Sequence, residues 1–140
     1  MTDKDRTKID RLLYFLPFAW RAKTERTPVA QKMSTGPSPD GIWAYQGVRY
    51  PGEFYRFRDV LVESGWLDLE YDSDLGHGYM ERPERVKEAS FEVARSLLTY
   101  CDRGERFSEG FWGEAFDSGF VFKVLMRLGE LHLRGSRNAV

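Results

Sequence analysis

Three successive apolar runs in the last third of the chain carry helical spacing. After Ser90, a residue type suited to capping a helix start, come Phe91, Ala94, Leu97, Leu98 and Cys101. They stand at intervals of three and four and share one stripe. Gly104 is expected to end this helix. Ser108 is expected to cap the next one, with Glu109 in its first turn. That second helix carries Phe111, Trp112, Ala115 and Phe116 on more than one face, so neighbours must cover it on two sides. Gly119 closes it. Asp117 or Ser118 caps a third helix with the stripe Phe120, Val121, Val124, Leu125, Leu128 and Leu131.

Earlier in the chain, Ile9, Leu12, Leu13, Leu16 and Ala19 or Trp20 are spaced for one face of a helix over about Asp3 to Arg26. Pro17 predicts a kink or an end near Phe15 or Leu16, with Phe18 to Trp20 as an irregular extension. Residues 27–41, rich in Thr, Ser, Gly and Pro, read as a long loop. Ile42 to Tyr45, a Gln46-Gly47 turn and Val48 to Tyr50 read as a small hairpin. Pro51 opens a helix with the stripe Phe54, Phe57, Val60 and Leu61, stopped at Gly65. Trp66 to Tyr71 alternates apolar and polar and predicts a short strand or extended segment with one polar face. A turn at Asp72 to Gly78 and a short charged helix from Arg82 or Pro83 to about Ala89 follow, with Glu81 paired to Arg85. The tail 134–140 reads as a frayed terminus.

The string Arg106-Phe107-x-Glu109-Gly110, then Phe116-x-x-Gly119, then Leu125-x-Arg127-Leu128, resembles the C-terminal signature of a bacterial family, domain of unknown function 6508. Ile9, Leu12, Leu13, Phe15, Leu16 and Pro17 are similar to that family's opening helix. Glu63-Ser64-Gly65-Trp66 resembles its acidic-x-Gly-Trp turn. The stretch from Gly36 to Tyr50 and the acidic segment after Trp66 depart from the pattern. The resemblance implies a fold and carries no catalytic residues with it.

A chain of 140 residues is sized for one domain, and 41% hydrophobic with 15% aromatic residues excludes a disordered chain. The formal charge of −1, from 21 basic and 22 acidic residues, disfavours a general nucleic-acid binder. A nucleic-acid role would have to use the local cluster Arg21, Lys23 and Arg26. A single cysteine, Cys101, precludes an internal disulfide, and no apolar run reaches membrane-spanning length. A cytoplasmic location without membrane contact is the expectation.

Candidate chemistry is sparse. Glu70, Asp72, Asp74 and Glu81 have a calcium-loop spacing, but Leu75 stands where that loop needs glycine, so a solvated acidic turn is the better reading. His77 and His132 lie far from Cys101 in sequence, and no metal or cofactor site is expected. Cys101 lies on an apolar stripe, where cysteines pack and do not react. Gly110-x-x-Gly113 is no phosphate loop; it lies within an expected helix, where small residues permit close helix approach. Arg103, Arg106, Glu109 and Glu114 form the most notable polar group. They are read first as an ion-pair set fixing a helix angle, and second as a ligand or partner site.

The expected fold is therefore mainly α. It is a compact bundle of five to six helices in one domain over residues 1–140, with a small β-hairpin or extended element in the middle. The expected function is binding of another protein or macromolecular complex without catalysis, for example as a mobile-element inhibitor of a host defence system of the anti-CRISPR type. Partner contacts are expected at Trp43, Tyr45, Tyr50, Arg103, Arg106, Glu109 and Trp112. Self-association into a homodimer stays open. The alternative is a small-molecule binder or enzyme with a pocket lined by Trp43, Tyr45, Trp66 and Trp112, with Arg106 or Glu109 as its polar group.

Overall fold

A computed structural model describes the backbone of residues 1–37 and 44–138, and the side chains of these except 33–37, 44–46 and 136–138. In chain order the elements are α1 (Asp3–Leu13), α2 (Leu16–Thr24), β1 (Gln31–Pro37), β2 (Ala44–Arg49), α3 (Gly52–Val62), a 3₁₀ turn (Glu63–Gly65), α4 (Ser73–Glu81), a second 3₁₀ turn (Pro83–Glu88), α5 (Phe91–Phe107), α6 (Phe111–Asp117) and α7 (Phe120–Asn138). The protein is mainly helical with one two-stranded antiparallel sheet, as the apolar pattern predicts.

Helix α7 runs through the middle and packs against α1, α2, α5, α6 and the second 3₁₀ turn. Its stripe Val121, Val124, Leu125 and Leu128 is fully buried. Each such side chain contributes about 1.5–3 kcal/mol by leaving water. The stripes of α1 (Ile9, Leu12), α3 (Phe54, Phe57, Leu61) and α5 (Ala94, Leu97, Leu98, Cys101) close around it in one continuous core. Arg127, which belongs to the family-like string Leu125-x-Arg127-Leu128, is buried. Its Nε donates to the Ala89 carbonyl at 2.8 Å and its Nη1 pairs with Glu130 at 3.1 Å, which ties α7 to the exit of the second 3₁₀ turn.

Several expectations fail for identifiable reasons. Pro17 does not leave an irregular extension: α1 stops at Leu13, and Pro17 sits in the first turn of a regular α2, where its missing N–H costs nothing. Residues 31–37 of the expected loop form β1, which pairs with β2 in the register Gln31↔Arg49, Lys32↔Val48, Met33↔Gly47 and Ser34↔Gln46, with an irregularity before Pro37↔Ala44. The Gln46-Gly47 pair therefore lies inside a strand and makes no turn. Residues 38–43, including Ile42 and Trp43, lie outside the described residues.

Trp66 to Tyr71 is not a strand, because no strand lies beside it. The Asp68 N–H instead donates to the Thr99 hydroxyl at 3.0 Å, and the Ser96 hydroxyl donates to Asp68 Oδ2 at 3.1 Å, strapping the segment to α5. The expected turn at 72–78 is the start of α4. Asp72 caps it by accepting the N–H groups of Asp74 and Leu75 at 2.9 and 3.2 Å, and Gly76 packs on the Tyr100 ring. The short charged helix after it forms where expected, as a 3₁₀ helix over Pro83–Glu88, but Glu81 pairs with His77 at 3.1 Å and not with Arg85. Gly104 does not end α5. A Cβ there would fall 2.7 Å from the Phe111 ring, so its bareness serves packing while the helix continues to Phe107. The tail does not fray at residue 134: α7 continues to Asn138, and Gly135 lies against Arg6 of α1.

At the chain start, Thr2 and Asp5 form a reciprocal capping box. Asp5 also accepts the Trp66 indole N–H at 2.9 Å. Burial acts to raise the pKa of Asp5, but the bonds from the Thr2 backbone, the Trp66 indole and the Thr2 hydroxyl, with the charge of Arg95, outweigh it and hold the carboxyl below its ordinary value. A depressed folded pKa gives stability that is complete above the unfolded value and is lost as pH falls through the folded one. Stability should thus drop below a pH of about 4, and Asp5→Asn should flatten that acid arm. Melting temperature against pH for both proteins tests this, and parallel acid arms would refute the assignment.

Candidate functional site

Helices α3 and α5 and strand β2 enclose a groove of about 370 Å³. Val48, Tyr50, Phe54 and Tyr55 supply its apolar wall, and Arg58, Asp102, Glu105, Arg106 and Glu109 its polar one. Three of the seven residues expected at a partner site, Tyr50, Arg106 and Glu109, are thereby brought together.

The groove stands over a polar network centred on Trp112. Asp102 and Glu105 are three residues apart on α5 and so lie on neighbouring positions of one face. Asp102 Oδ1 accepts the Trp112 indole N–H at 3.1 Å and the Arg58 Nε at 2.8 Å. Glu105 Oε1 accepts the Trp112 backbone N–H at 2.9 Å and the Tyr50 hydroxyl at 2.6 Å. Its other oxygen accepts the Gly110 N–H at 2.8 Å. The Tyr50 hydroxyl in turn accepts the Gly113 N–H at 3.1 Å. Burial first, and then the bond to Glu105, raise the Tyr50 pKa, so its phenol is a fixed donor.

This arrangement changes the standing of several expected residues. Trp112 is fully buried between Phe54, Phe57 and Phe116, so it holds the core and meets no partner. Tyr50 is also buried. Arg103 lies half-exposed on α5, outside the groove lining. The expected ion-pair set of Arg103, Arg106, Glu109 and Glu114 does not form among the described residues. Ser108 does not cap α6, and Glu109 is not in its first turn. Gly110 at φ +94° is the N-cap, and Glu105 supplies the carboxylate that satisfies the helix start. Trp43, and the side chain of Tyr45, lie outside what is described.

The network residues Arg58, Asp102 and Glu105 escaped the sequence reading. With Gly104 taken as a helix end, Glu105 fell into a linker. Its partners at Tyr50 and Trp112 become neighbours only through tertiary packing. The one available signal was the i,i+3 acidic pair preceding a buried tryptophan. At the rim are Arg106 and Glu109. Phe107, 88% exposed and the most exposed of the large apolar side chains described, follows Arg106 at the end of α5 on the side of Arg103 and outside the groove lining.

The other candidates dissolve geometrically. Trp66 lies at a separate hollow with Lys8, Arg11 and Ser64, so Trp66 and Trp112 share no pocket. Lys8 there is buried, and its ammonium donates to the carbonyls of Val60 and of Glu63, the latter at 3.0 Å. Burial lowers its pKa. In the basic cluster, Arg21 pairs with Glu53 at 2.6 Å and Lys23 lies over the Trp20 and Phe122 rings. Cys101 is buried, which pushes its thiol up. Among the described residues no group of three or more His, Cys, Asp or Glu could hold a metal, and no helix is long and apolar enough to cross a membrane. Gly113 does admit a close neighbour, but not a helix: a Cβ there would fall 2.5 Å from that of Ala30, just before β1.

Glu105→Ala should leave two N–H groups and a buried phenol unpaired and cost about 2–4 kcal/mol. Glu105→Gln should cost less, because its carbonyl oxygen keeps some of the acceptor function. Urea melts of the two variants check the order, and equal losses would contradict it.

A family model matches residues 4–133, described as a family of unknown function, DUF6508. The chain belongs to that family. No curated protein and no solved structure matches it.

Proposed function

We propose that this member of DUF6508 is a non-catalytic binding protein, and that it grips another protein or protein complex through the end of α5, where Arg106 and Glu109 line the groove and Phe107 stands exposed outside it. The single observation that carries the reading is Phe107, 88% exposed at the end of α5 between two exposed charged residues. Binding energy at protein interfaces concentrates in aromatic and arginine side chains, ringed by residues that exclude water. Arg106 and Phe107 have those chemistries, and Val48 and Tyr55 line the groove with Arg106. Acid–base catalysis is less well supported, because Asp102 and Glu105 direct their lone pairs at fixed internal donors. Inhibition of a host defence complex is one form the reading takes. It rests on chain size and the lack of a catalytic motif, and it adds no residue to the site.

A paired variant, Arg106→Glu with Phe107→Ser, should melt like the parent, since both side chains are exposed. It should lose about thirtyfold or more in affinity for whatever partner the parent captures from host lysate. Tyr14→Ser, 81% exposed on another part of the surface, should keep that partner. Capture unchanged by the paired variant, or no stoichiometric partner for the parent, would count against the reading.

A further inference from the structure

The outer side of α7 is built unlike a solvent-facing helix surface. Opposite the buried stripe lie Phe122, Met126 and Leu133, with Met126 43% and Leu133 61% exposed. Their spacing of four and seven residues places them in one row along the helix. Trp20 of α2 extends the row, its ring centroid 5.2 Å from that of Phe122. Beside this apolar row runs a charged one, Lys123 and Glu130, seven residues or two turns apart and opposite in sign. A groove of about 330 Å³ between α7 and the second 3₁₀ turn follows the same face.

We propose that this face is a homodimer interface in which α7 packs antiparallel on α7 of a second copy, about a twofold axis close to Met126. The occupant is specified by charge. A twofold axis perpendicular to the helix lays each row on its own counterpart and reverses its direction. Lys123 of each copy then stands opposite Glu130 of the other, twice over, and Phe122 comes close to Leu133 of the second copy. A parallel pair about an axis along the helix would instead put the two charged rows on opposite sides of the seam, where no Lys123 meets a Glu130 of the other copy. Glu130 already holds Arg127 at 3.1 Å, so it is anchored at this position. Lys123 has no ion pair among the described residues. The face shares no residue with the groove at α3 and α5, and the dimer leaves that groove open to its own partner.

The test is sedimentation of the full chain from micromolar to sub-millimolar concentration at low salt. The parent should be a dimer at the upper end. Lys123→Glu and Glu130→Lys, each alone, should weaken it by about tenfold or more, because each creates two like-charge contacts. An equimolar mixture of the two variants should restore the dimer, because every contact in the mixed pair is again opposite in sign. Met126→Glu, at an exposed position and therefore harmless to the fold, should be monomeric, with circular dichroism verifying each variant. A parent that stays monomeric throughout, single variants that dimerise like the parent, a mixture that fails to recover, or a dimeric Met126→Glu protein would each overturn the proposal.

Discussion

The burial of Trp112 is the constraint on which the rest of the structure turns. A fully buried tryptophan brings a large apolar ring into the core, but it also brings an indole N–H and a backbone N–H that must find acceptors. Asp102 and Glu105 meet both needs from one face of α5. A buried carboxylate is itself costly unless paired and bonded. Each therefore recruits a further donor from elsewhere: Arg58 of α3 for Asp102, and Tyr50 at the end of the hairpin for Glu105. Four parts of the chain thus meet on two carboxylates. The left-handed turn at Gly110 belongs to the same solution, since it aims the start of α6 at Glu105.

That arrangement also divides the end of α5 into two populations. Asp102 and Glu105 turn inward and their atoms are used by the fold, while Arg103 between them stays half-exposed. From Arg106 to Glu109 the polar residues turn outward, and the fold asks nothing of them beyond helix termination. An exposed phenylalanine among them stabilises nothing internally and adds apolar surface to water. The physical cost is small for one side chain. Phe107 follows Arg106, which lines a groove with an apolar wall, and adds exposed apolar surface outside that groove.

What was legible in the sequence follows from range. Periodic stripes are local, and those of α1, α3, α5 and α7 appear as read, down to Ser90 accepting the Val93 N–H as a helix cap. Elements marked by glycine were misjudged, because glycine serves two ends. At Gly110 and Gly119 it takes positive φ and interrupts helices. At Gly76 and Gly104 it admits a neighbouring ring while the helix continues. Which use applies depends on Tyr100 and Phe111, and sequence spacing does not say where those rings will lie. Strand β1 was hidden in the same way: Gln31 to Pro37 has no strand pattern and is extended because β2 offers it a partner. Of the site, the charged rim at Arg106 and Glu109 could be read from the chain. The Asp102–Glu105 network beneath it could not, because its partners lie up to 55 residues away.

Near-neutral net charge hides how the charges are deployed. Arg11 pairs with Glu63, Arg21 with Glu53, Arg58 with Asp102 and His132 with Asp10, each joining separate elements. The exposed pairs among them, Arg11–Glu63 and Arg21–Glu53, add about 0–1 kcal/mol apiece, so their main effect is on which helix faces settle against each other. Composition records only that the signs cancel. In the fold, ion pairs cancel charge locally at a few places among the described residues, while most lysines and arginines stand outside them. Arg106 at the groove and Lys123 on α7 are such residues among those described, and each adjoins exposed apolar surface. A charge next to uncovered apolar surface does little for the folded chain by itself. It does a great deal to select what can cover that surface, because a wrong sign in a desolvated contact is penalised more heavily than a right one is rewarded.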